Sequence, residues 1–157
     1  MDIISKLHSR SRLVVKNIRV DACQLIQFKD GKWLVKMQFT PEAYNEGTVL
    51  TTITDAWITL EWKIGTGDSK HVRLDDVKLI DIRTNNMPFS LKGREIDAGK
   101  QLENCDHLLF ESAMFEPEDD RPPTDTAMQA ELVVRYTRHA RPLKFGFQTS
   151  IKADVPH

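Results

Sequence analysis

The chain has 157 residues, 40 % of them apolar and 29 % charged, with a formal net charge of -1. That length suits one domain able to bury its own core, and the composition excludes collagen, coiled coil and wholesale disorder. No apolar run approaches the roughly 18 residues of a membrane helix, and a near-neutral chain has no global field to draw it to nucleic acid or to a membrane. The charge is nonetheless uneven. Residues 1–20 carry +4, residues 21–94 balance, residues 95–125 carry -8 and residues 126–157 carry +3. An acidic stretch between two basic ends is a pattern for docking or self-association, or else for charge compensation inside the fold.

Residues 1–12 form an expected N-terminal arm, in which Ile3, Ile4 and Leu7 sit beside Lys6, Arg10 and Arg12. It is too short for a stable isolated helix and is expected to pack on a partner or on its own domain. The arm lacks the apolar centre of a secretory signal, and the two cysteines, Cys23 and Cys105, are expected to be reduced. Both observations point to the cytoplasm.

The dominant period after the arm is two, which is the spacing of half-buried strands. Trp33, Val35, Met37 and Phe39 alternate with polar residues, and Asp30-Gly31 just before them is a two-residue hairpin signal. That turn pairs Phe28 with Trp33, Ile26 with Val35, Ala22 with Phe39 and Val20 with Pro41. It puts Ile18, Val20, Ala22, Ile26 and Phe28 on the buried face, leaving Cys23 on the other. Gln24 interrupts the buried set, and a bulge is expected between Cys23 and Leu25.

Ala56, Ile58, Leu60, Trp62 and Ile64 make the next strand. Turn residues follow from Gly65 to Ser69, and Val72 and Leu74 begin the return. Val77 to Ile82 resumes as strand, residues 85–88 read as a loop ahead of Pro88, and residues 89–96 as a short strand bent at Gly93. Residues 97–115 fit two periods: Leu102, Cys105, Leu109 and Ala113 for a helix, Leu108, Phe110, Ser112 and Met114 for a strand. The strand is favoured, because Gly99 costs a helix about 1 kcal/mol relative to alanine and the neighbours are strands. Residues 116–126 are an acidic, proline-rich loop. Ala130 to Thr137 and Leu143 to Ile151 form a last hairpin, with Leu143, Phe145, Phe147 and Thr149 on one face.

Strands at this spacing predict an all-β antiparallel sandwich of the immunoglobulin-like, Greek-key kind over residues 13–151. At most one short helix is expected, in residues 97–115 or at the N-terminus, and residues 152–157 are expected to be a tail.

The chemistry-bearing residues do not converge. Cys105-Asp106-His107 has too few ligands for a structural zinc site, and the remaining histidines are scattered. No nucleophile motif is present, and Asp75-Asp76 and Asp119-Asp120 are adjacent pairs that point to opposite sides of a strand. No cofactor and no catalytic residue is therefore expected. The densest cluster is the last hairpin, where Arg135, Arg138, His139, Arg141 and Lys144 surround Tyr136; it suits an acidic peptide, a phosphate or a nucleic-acid backbone, or else a solvated edge whose charges resist aggregation. The acidic loop 116–126 is one candidate partner, in the same chain or a neighbouring copy. Trp57, opposite in parity to Ile58, Leu60 and Trp62, is a second candidate contact, as a ligand platform or as buried structure. The expected function is a binding or assembly module that recognises another protein, or its own copies, through loops, an edge strand or the arm. A carbohydrate- or small-ligand-binding sandwich and an enzyme with a dispersed site are the alternatives.

Overall fold

The computed structural model describes residues 11–65, 67–77, 79–81 and 87–154. Eleven strands and no helix occur among them. In chain order they are β1 Leu13–Gln27, β2 Trp33–Asn45, β3 Thr51–Ile64, β4 Asp68–Asp76, β5 Leu79–Asp81, β6 Met87–Phe89, β7 Glu95–Ile96, β8 Leu108–Ser112, β9 Ala127–Tyr136, β10 Leu143–Ser150 and β11 Lys152–Asp154. Nine of them make one sheet in the order β10-β9-β3-β4-β8-β2-β1-β11, with β7 on β3, while β5 and β6 pair separately.

The sheet is mixed rather than purely antiparallel, since β1 and β11 run parallel, with Gln24 opposite Lys152. It is not a closed barrel. Its two path ends, β10 and β11, are separated only by Ile151, which is fully buried. One continuous segment therefore touches β9 first and β1 last. Residues 152–154, assigned to a tail by composition, are this last strand.

The core lies on one face and is built from the residues whose alternation is clearest. Val35, Met37 and Phe39 of β2, Ile58 and Leu60 of β3, Leu74 of β4, Leu108 and Phe110 of β8 and Leu132 of β9 are all fully buried. Phe39 meets the edge of Phe110 at 4.9 Å, and Trp33 stacks on Phe115 at 4.4 Å. Burying a side chain of this size is worth about 1.5–3 kcal/mol, so this face dominates the stability of the sheet.

The first hairpin forms, but its register differs by one residue from the expected one. Trp33 lies opposite Gln27, not Phe28, and Val35 lies opposite Leu25. The turn is the cause. Phe28 N–H donates to Lys32 O at 2.8 Å and Gly31 N–H to Phe28 O at 3.0 Å, so three residues are enclosed rather than two. Only Gly31, at φ 90°, is left-handed there, which is the turn-plus-bulge form of a three-residue loop. Cys23 and Leu25 consequently point into the core, whereas Phe28 is 40 % exposed. Two bulges, between Val20 and Ala22 and between Val15 and Asn17, each reverse the parity of β1. Ile18 is buried after the first, and Val15 and Leu13 after the second. No register shift falls between Cys23 and Leu25, where a bulge was expected.

The other elements depart in smaller ways. Only Leu108–Ser112 of residues 97–115 is strand; the chain before it turns at Asn104 (φ 53°) and His107 (φ 55°). Met87 and Pro88, expected in a loop, belong to β6. Gly93 does turn the chain, at φ 90°. Residues 1–10 of the arm, Ile82, residues 85–86 and residues 155–157 lie outside the described residues.

Candidate functional site

The outer face of the sheet gathers part of the predicted cluster. In β3, Trp57 has the opposite parity to the core residues and is half-buried on this face. It lies opposite Val133 in β9 and Asp75 in β4. Lys144 of β10 pairs with Val133 and so falls next in the same row. The Arg73 guanidinium sits 4.4 Å from the Trp57 ring centroid and that of Arg135 5.7 Å. Cation–π contacts of this kind contribute about 0.5–1 kcal/mol at exposed sites. Val133 is buried beside the ring although it faces away from the core. The result is a small apolar patch bordered by three cations.

Arg73 was not singled out in the sequence. The signal was present, because closing a hairpin around residues 65–67 places Asp75 beside Trp57 and Arg73 diagonal to it. Arg73 also donates to Asp75 Oδ1 at 2.8 Å, so the pair holds the guanidinium over the ring. This exposed ion pair adds little by itself.

Arg138, His139 and Arg141 stand apart from that row, at the hairpin tip beyond the end of β9. His139 stacks on the buried Tyr136 at 4.8 Å, and its Nδ1 lies 2.7 Å from Arg141 O. Arg138 is left-handed at φ 62°. Thr137 Oγ1 accepts from Thr52 N–H at 3.0 Å, which ties the base of the tip to β3. Among the described residues, Arg138, Arg141 and Lys144 have no ion-pair partner. Arg135 lies between the Trp57 row and the tip, opposite Asp55 of β3, so the two groups make one ridge in which Asp55 and Asp75 stand among the cations.

The acidic loop does not meet this ridge in the same molecule. Residues 126 and 137 flank opposite ends of β9, whose ten residues span about 30 Å at roughly 3.3 Å each. The loop instead covers the opposite end of the sheet. Glu116 O accepts from Trp33 Nε1 at 3.1 Å, Arg121 donates to Gln27 at 3.0 Å, and Asp120 pairs with Lys70 at 3.4 Å. Beneath the loop lies a cleft of about 270 Å³ lined by Trp62, Phe115, Lys70, His71, Asp119 and Asp120. A second cleft, of about 460 Å³, opens on the other side of Trp62 against Pro123 and Met128.

One further polar arrangement was not foreseen. The bulge after Val20 presents Asp21 to His107, whose Nδ1 lies 3.0 Å from Asp21 Oδ2. Burial pushes the Asp21 carboxyl up, but the bonds from Arg19 and Thr40 and the charges of Arg19 and His107 outweigh it and hold the group below its ordinary value. The Thr40 hydroxyl donates to the same oxygen at 2.8 Å. It is thus spent on the carboxylate rather than aligned on the histidine, which is not a nucleophile–base arrangement. Cys105 points inward and its thiol donates to Pro41 O at 3.3 Å, while His107 points outward, so the Cys105-Asp106-His107 run does not converge. No group of three or more metal-ligating side chains is found among the described residues. Cys23 and Cys105 are both buried free thiols. Cys23 shares the core face with Trp33, so the parity that seemed to keep it apart from that face is overturned.

Compared with protein-family models and with the curated proteins, the sequence matches none. No helix among the described residues is long and apolar enough to cross a membrane.

Proposed function

We propose that this protein is a non-enzymatic binding module that recognises an acidic segment of another protein on the ridge running from Trp57 to the β9–β10 tip. The observation that carries this reading is Trp57 held between Arg73 and Arg135, with Lys144 next in register. Tryptophan and arginine are the residues that most often dominate the energy of protein interfaces. Here the ring supplies apolar area and Arg135, which has no ion-pair partner among the described residues, supplies donors for a carboxylate, while Arg73 is already bonded to Asp75. The immunoglobulin-like sandwich belongs to the same proposal, supported by β8 and β9 returning through long connections to lie beside earlier strands. A cytoplasmic location is proposed with it, on the two free thiols.

The test is capture from the native host with the wild-type chain and with Trp57→Ala and Arg135→Ala. A partner protein held by the wild type should be lost from both variants, and its affinity should fall as salt rises. Equal retention by all three proteins removes the ridge from the reading.

A second reading, small-ligand binding, is favoured by the cleft under the acidic loop. It sets aromatic surface from Trp62 and Phe115 beside polar groups from His71 and Asp119, a combination common to ligand pockets. A carbohydrate platform at Trp57 is disfavoured, since Arg73 already occupies a position over the ring.

A further inference from the structure

We infer that the acidic segment 116–120 of a second copy of this chain is the occupant of the basic ridge, so that copies associate head to tail. The inference rests on the ridge being a protein-binding surface and adds the identity of the partner.

The complementarity is close. Residues 116–120 hold four carboxylates and no cation, whereas residues 135–144 hold four cations and no carboxylate. The loop that holds residues 116–120 leads into the start of β9 and the tip follows its end, and the ten residues of the strand span about 30 Å. They cannot neutralise each other within one molecule, yet each is presented at an end where a neighbour can reach it. The cations are uncommitted: Arg138 and Arg141 at the tip and Lys144 in β10 are exposed and have no ion-pair partner among the described residues. On the acidic side, Asp120 is shared with Lys70, but Glu116 and Glu118 are exposed and have no such partner among the described residues.

Both surfaces are also ordered in advance, which lowers the entropy lost on docking. The loop is fixed by Trp33 Nε1 on Glu116 O and by Glu116 N–H donating to Asp119 Oδ2 at 2.9 Å. The tip is fixed by the stacking of His139 on Tyr136. A contact between two different patches of the same chain is heterologous. It therefore leaves one free end of each kind on every pair, and builds rings or filaments unless it is capped.

Sedimentation velocity on the intact chain tests this. The wild type should associate with rising concentration at low salt, and less so at about 0.15 M, where the Debye length is about 8 Å. A tip variant (Arg138→Ala with Arg141→Ala) and a loop variant (Glu118→Gln, Asp119→Asn and Asp120→Asn) should each weaken association by about tenfold or more. Mixed in equal amounts they should form a one-to-one pair that grows no further, because the tip variant still carries an intact loop and the loop variant an intact tip. Unchanged unfolding midpoints show that each variant is folded. A wild type that stays monomeric at low salt overturns the inference, and so does a mixture that stays monomeric. A short poly-glutamate peptide then separates the two levels. If it binds the monomeric wild type but not Trp57→Ala, the ridge still recognises acidic protein and only the second copy is wrong as partner. If it binds neither, the ridge reading falls as well.

Discussion

The two outer hairpins of the chain form by the same chemistry and differ in how straight they are. β9 and β10 pair through eight consecutive positions, Leu143 with Val134 through Ser150 with Ala127, without a shift. β1 and β2 pair through thirteen positions and shift twice. In the last hairpin one parity serves the whole strand. In the first, the parity of β1 reverses and then reverses back, so Leu25, Ile18 and Val15 all reach the core although no single alternation runs through them. A bulge costs a ladder position but re-aims the strand beyond it, and here it also turns Asp21 toward His107. A straight strand and a bulged strand therefore bury comparable side chains, but only the straight one can be read residue by residue from its period.

Mutation of the first hairpin breaks or sharpens this contrast most strongly. Trp33→Ala and Phe39→Ala should each cost about 3–5 kcal/mol in unfolding free energy, because both sides of the cavity belong to the fixed core. Phe28→Ala, at the start of the turn that sets the register, should lie within about 1 kcal/mol, since the ring is 40 % exposed. Denaturant titration of the three variants reads the register directly, and a Phe28→Ala loss as large as that of Trp33→Ala would restore the two-residue turn.

A smaller effect comes from the thiol that the shifted parity turns inward. Burial raises the Cys23 pKa from 9.0 to about 11, against a hydrogen bond with Thr149 that lowers it. The unfolded chain loses this proton first. The stabilisation is thus complete below about pH 9 and is lost as pH climbs through 11, by about 2–3 kcal/mol in all. Unfolding free energies measured from pH 8 to 11 should show this limb flattened in Cys23→Ala. The same burial predicts that both thiols alkylate slowly when folded and promptly after denaturation without reductant.

Gly31→Ala should cost about 1–2 kcal/mol, because the position is left-handed and a Cβ would come within 3.0 Å of Pro117 Cγ. That measurement tests the turn that sets the register. At the far end of the scale, Arg138→Ala with Arg141→Ala should change stability by no more than about 0.5 kcal/mol. A larger loss would show that the tip charges support the straight hairpin rather than a partner.

Much of the sheet was legible because its inner face is apolar at period two. Ile58, Leu60 and Leu74 could be placed inward from alternation, and the last hairpin could be bounded by its cluster of turn residues. The first register was not legible, because Asp-Gly serves both two- and three-residue loops, and only the backbone angle of Asp30 separates them. Residues 97–107 were not legible either: their conformation is set by tertiary bonds such as Leu102 N–H to Ala43 O rather than by local period. Half of the ridge was readable as a run of cations. Its other half, Trp57 with Arg73, depends on which strands become neighbours, and β9 reaches β3 only after 62 intervening residues.

The separation of β10 from β11 by Ile151 alone has a consequence for how the chain acquires its shape. The strand next to β1 on one side is its nearest successor in sequence, and on the other side it is β11, synthesised well over a hundred residues later. Until residues 152–154 emerge, the Gln24–Ile26 stretch of β1 lacks its second partner, and Ile151 has not yet filled its place in the core. Contacts of such long sequence separation form late and slowly. Nascent chains of this protein should therefore hold an unpaired edge from the emergence of β1 until that of β11, a period in which such edges are prone to aggregate.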